Sequence, residues 1–61
     1  MNKDIAKVLS EYYPYNAGEI FQWLEKTKSV GIVIEMMDDS LKYNISLEQA
    51  YSNIQFCLNI R

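Results

Sequence analysis

The sequence predicts an α+β fold in the order helix, helix, β-hairpin, helix, formed as a single domain over residues 1–61. Three observations carry this prediction. Apolar residues recur at helical spacing on both sides of Pro14. The β-branched run "VGIVIEMM" is followed by turn formers and then by the alternating stretch "LKYNI". Ser46 opens a last segment whose apolar residues again follow a helical period.

In the first helix, Asn2 to Tyr12, the residues Ile5, Val8, Leu9 and Tyr12 share one narrow arc of the wheel, with Lys3, Lys7, Ser10 and Glu11 on the other side. Pro14 disfavours helical geometry at Tyr13 and ends it there. Asn16 then serves as an N-cap, Glu19 stands three residues later as in a capping box, and Tyr15 and Ile20 have the spacing of a hydrophobic staple. Ala17, Ile20, Phe21, Trp23 and Leu24 spread over nearly half of the second helix, which makes it the expected centre of the core.

The hairpin places Asp38, Asp39 and Ser40 at its turn. Ile32, Ile34 and Met36 share its inner face with Leu41, Tyr43 and Ile45, while Val33, Glu35, Met37, Lys42 and Asn44 face out. The last segment has two incompatible periods. Ile54, Phe56, Leu58 and Ile60 alternate as in a strand, yet Leu47, Ala50, Tyr51, Ile54, Cys57 and Leu58 fit the i, i+3, i+4, i+7 spacing of a helix. The helix prevails, because Ser46 and Gln49 make a capping-box pair and no Gly, Pro or Asp cluster interrupts the chain before Ile54. Cys57 and Leu58 then belong to the buried front, and Phe56 and Ile60 lie one turn apart on the opposite side.

Composition limits what such a domain can do. A chain this short buries only about 60% of its unfolded surface, and one small core yields roughly 3 to 5 kcal/mol. Cys57 is the only cysteine and there is no histidine, so neither an intramolecular disulfide nor a usual zinc site is available. Hydrophobic residues at 49% are too abundant for a disordered tail. No apolar run approaches the roughly 20 residues of a membrane span, and the first residues lack a signal peptide's apolar stretch. With a lone thiol, this leads to a cytoplasmic location. A net charge of −2 disfavours a phosphate-neutralising surface, and so nucleic acid as a partner.

Catalysis lacks its usual parts: there is no histidine base and no glycine-rich phosphate loop. Glu35, Asp38 and Asp39 in "EMMDDS" do not have the alternation or the glycine of a calcium loop. The expectation is therefore a protein without enzyme activity, cofactor or metal, regulating or inhibiting a larger protein partner by direct contact. A short reading frame rich in Ile, Asn, Lys and Tyr fits a phage or mobile-element product. Phe56, Ile60, Tyr13, Val33 and Met37 are the apolar residues that one small core does not obviously use, and they are the expected contact residues. A homodimer is expected to cover part of this surplus, together with the exposed edge of the ribbon. In element order alone, two helices followed by a hairpin, the chain resembles winged-helix DNA-binding domains. That resemblance implies a nucleic-acid-binding regulator as the alternative, although Glu19 and Glu25 stand on the helix that would meet the phosphates.

Overall fold

Val33, Met36, Met37 and Ser40 recur at i, i+3, i+4 and i+7, and this spacing governs the middle of the chain. The structure, a computed structural model, describes residues 2–60, leaving out the side chains of Asn2 and Ile60. It contains α1 (Asn2–Ser10), α2 (Ala17–Thr27), α3 (Val30–Tyr43) and α4 (Leu47–Ile60). There is no strand among the described residues. The expected α+β fold is thus corrected to an all-helical one, and its hairpin is a single helix, α3.

The physical reasons are local. Ser29 caps α3, its Oγ accepting from the Ile32 amide at 3.3 Å. Glu35, Met36, Met37, Leu41 and Lys42 are good helix formers, and they outweigh the β-branched run before them. An isolated two-stranded ribbon is also marginal by itself. The burial pattern changes accordingly. Val33 and Met37, expected to face out, are 1% and 0% exposed, whereas Leu41 and Tyr43, expected inside, are exposed. With no hairpin there is no wing, so the likeness to winged-helix domains lapses.

The other elements begin where their caps lie. Asn16 Oδ1 accepts from the Glu19 amide at 2.7 Å at the head of α2, and Ser46 Oγ accepts from the Gln49 amide at 3.0 Å at the head of α4. α1 stops at Ser10, earlier than expected. Its exit is tightened by bonds from the Glu11 amide to the Val8 carbonyl at 3.1 Å and from the Tyr12 amide to the Leu9 carbonyl at 3.0 Å. Two left-handed residues end the inner helices. Lys28 (φ 56°) returns its amide to the Leu24 carbonyl at 2.7 Å, and Asn44 (φ 55°) returns its amide to the Ser40 carbonyl.

α1 packs on α2, α2 on α3, and α3 on α4, giving two helical hairpins joined through Lys28 and Ser29. The Cα atoms span 33 × 23 × 13 Å, a slab not much thicker than a helix. Its largest fully buried side chains are Ile20 and Leu24 from α2 with Val33, Met36 and Met37 from α3, so the core's centre is shared between these two helices. α1 contributes the buried Ala6, with Ile5 and Leu9 half-covered. Its expected stripe is therefore rotated outward, and Val8 and Tyr12 are exposed. α4 buries Leu47, Ala50 and Ile54, but the helix then outruns its support: Cys57 and Leu58, expected in the core, are exposed. No helix among the described residues is long and apolar enough to cross a membrane.

Candidate functional site

The end of α4 is the first place where side chains are left without cover. Its last turns meet α3 on one side only, so Phe56 is 66% exposed and Leu58 46%. Residues 56 and 58 lie about 200° apart on the wheel, which gives this end two separate faces. Ile60 follows Phe56 by one turn along the helix, but its side chain falls outside the described residues. On the other face, Glu35 and Asp39 of α3 and Asn53, Ile54, Cys57 and Leu58 of α4 line an open cleft of about 240 Å³.

A second surface lies at the opposite hairpin. Lys3 and Lys7 of α1 with Ala17, Gly18 and Phe21 of α2 line a groove of about 400 Å³. The Lys3 ammonium stands 5.8 Å from the centre of the Phe21 ring, within range of a cation–π attraction. The groove exists because α1 turns Ala6 toward the core, which leaves its two lysines at the rim. Nothing in the spacing of apolar residues marks it. It depends on which face of α1 meets α2.

A third cluster joins α2 to α4. The rings of Trp23 and Tyr51 meet in a tilted arrangement, with centroids 5.2 Å apart and planes inclined at 46°. Lys26 lies over both rings, at 5.0 Å and 5.4 Å. Trp23, expected in the core, is half-buried here and acts as a brace between helices.

The expected contact residues are not brought together. Val33 and Met37 are core residues, and Tyr13 is half-buried with its hydroxyl donating to Asp38 Oδ1 at 2.8 Å. That bond, with partial burial and the charge of the same carboxylate, raises the Tyr13 pKa above its ordinary value. Phe56 alone among the described members of the set is openly presented to solvent. Sequence reasoning missed Leu58, Val8, Tyr12, Leu41 and Tyr43 as exposed apolar side chains. Leu41 and Tyr43 fall in the last turn of α3, on the flanks of the stripe formed by Val33, Met36, Met37 and Ser40, and are exposed there.

The acidic run of α3 does not converge. Asp38 is held by Tyr13, and Glu35 and Asp39 sit at the rim of the α3–α4 cleft. Among the described residues no group of three or more His, Cys, Asp or Glu is placed to hold a metal ion. What the surface offers is exposed apolar side chains beside separated charges. Compared with protein-family models, curated proteins and solved structures, the chain matches none of them.

Proposed function

We propose that this chain is a non-enzymatic regulator or inhibitor that docks on a larger protein through the outward side of α4, with Phe56 as its anchor. The observation that carries the reading is the 66% exposure of Phe56 on a helix that Leu47, Ala50 and Ile54 fasten to the core before it outruns its support. A phenylalanine left in water forgoes roughly 1.5 to 3 kcal/mol of burial, a large amount for a domain of this size. Aromatic side chains of this kind are enriched at protein interfaces. A cytoplasmic setting is part of the proposal, in keeping with a single thiol.

The test is recovery of the partner from native host extract on immobilised wild-type chain and on Phe56→Asp, whose helix content is checked by circular dichroism. A single stoichiometric protein retained by the wild type and lost with Phe56→Asp is the expected result. Equal retention by both would overturn the reading. So would recovery of nucleic acid that washes off as salt rises.

A further inference from the structure

We infer that a second copy of this chain is itself a partner, in a two-fold pair where the basic α1–α2 groove of each copy takes the acidic edge of the other's α3–α4 cleft. The inference rests on the reading of this protein as one that works by contact, but it uses a different face of α4 from the one that presents Phe56.

The first argument is matched spacing. Lys3 and Lys7 are four residues apart on α1, and Glu35 and Asp39 are four residues apart on α3. Each pair therefore spans one helical turn, about 6 Å along its axis. Two such helices laid side by side bring each lysine to one carboxylate. Lys3, Lys7 and Glu35 are exposed and Asp39 is partly so, which leaves all four within reach of another molecule.

The second argument is the apolar material between the charges. The groove has Ala17, Gly18 and Phe21 between and below its lysines, and the absence of a side chain at Gly18 keeps its floor low. The cleft offers the projecting Leu58 beside its carboxylates. A ridge carrying Leu58 can enter the groove while the charges pair at its rim. Groove against groove would instead set Lys3 and Lys7 against themselves, and cleft against cleft would oppose carboxylates.

The third argument is closure. Every copy carries both surfaces, so a two-fold pair that joins groove to cleft twice satisfies each of them, whereas a single head-to-tail contact leaves one of each exposed. A stable interface takes about 800 Å² from each partner. That is roughly a fifth of the 4362 Å² this chain exposes.

The test is light scattering coupled to size exclusion, at high micromolar concentration and low salt, where surface charges are least screened. The wild type is expected as a dimer. Lys3→Glu with Lys7→Glu is expected to be monomeric, and so is Glu35→Lys with Asp39→Lys. An equimolar mixture of the two variants is expected to return to dimers, because each reversed surface then faces its reversed counterpart. A monomeric wild type, a dimer persisting in either variant, or a mixture that stays monomeric would overturn the inference. Phe56→Asp is expected to leave the dimer intact, which separates failure here from failure of the docking surface for a larger protein. Should a charge reversal unfold the chain by circular dichroism, Lys3→Gln with Lys7→Gln and Glu35→Gln with Asp39→Asn replace it. Each is expected to weaken association roughly tenfold, corresponding to about 1.4 kcal/mol, and unchanged association in both would overturn the pairing.

Discussion

The Tyr13 hydroxyl donates to the Asp38 carboxylate at 2.8 Å, linking positions 25 residues apart and fastening the turn after α1 to α3. Ionising this phenol would break the bond and set two negative charges side by side. Its pKa in the folded chain is accordingly raised above the ordinary 10.0, first by the hydrogen bond, then by burial and by the charge of Asp38. The stabilisation is fully present below the unfolded pKa and is lost as pH rises through the folded one. Tyr13→Phe should cost about 0.5 to 1 kcal/mol near neutral pH. It should also remove this contribution to the decline in strongly alkaline solution, as urea titrations of both chains in the two conditions would show.

Ser40 is the polar member of the buried stripe of α3. Its hydroxyl donates to the Ile45 carbonyl, so the bond with the Tyr15 hydroxyl must run from Tyr15 to Ser40 Oγ. Ser40→Ala removes a partner from both groups and should cost about 1 to 3 kcal/mol. Tyr15→Phe should cost about 1 kcal/mol. A double-mutant cycle checks the relay, and the combined variant should lose less than the sum of the two single losses.

Met37→Ala and Leu24→Ala should each cost about 2 to 5 kcal/mol, the usual transfer and cavity terms for a filled core. Leu41→Ala, on the exposed side of α3, should cost less than about 0.5 kcal/mol. A β-ribbon over the same residues would bury Leu41 and expose Met37, reversing the order. Chemical denaturation of these three variants therefore measures the period of the segment directly.

Lys28 holds a left-handed backbone conformation that costs an L-residue about 1 to 2 kcal/mol relative to glycine. Lys28→Gly should raise stability by about 0.5 to 1 kcal/mol after the greater freedom of the unfolded glycine is deducted. Asn44 has nearly the same φ, but asparagine tolerates it better, so Asn44→Gly should gain less. Thermal melts of both variants decide the comparison.

The parts of this fold that could be read from sequence are those fixed by neighbouring residues. Asn16 and Ser46 announced α2 and α4 through their own side-chain bonds, and the helical period correctly won over alternation in the last segment. α3 was lost because Ile32, Val33 and Ile34 favour strands, and because Ser40 interrupts a stripe that would otherwise look apolar throughout. Ser40 is buried only because Tyr15 and Ile45 satisfy it, a circumstance set by tertiary structure. The same holds for the candidate surfaces. Phe56 followed from one helix's wheel, whereas the groove at Lys3 and Lys7 depends on how α1 is rotated against α2, and no local pattern specifies that rotation.

The serial packing of these helices, each against its neighbour in the chain, also bears on how fast they assemble. Contacts made mainly between adjacent elements give a low contact order, and helical domains of that kind fold in microseconds to milliseconds. Beyond these lie the Trp23–Tyr51 contact between α2 and α4 and the bonds of the Tyr13 and Tyr15 hydroxyls, which reach 25 residues along the chain and need both hairpins in place before they can close. These bonds should thus form after the main barrier. In temperature-jump relaxation, Tyr13→Phe and Tyr15→Phe are expected to hasten unfolding while leaving the folding rate nearly unchanged. The two hydroxyls would then act as latches on the native state, governing how long each molecule stays folded more than how quickly it gets there.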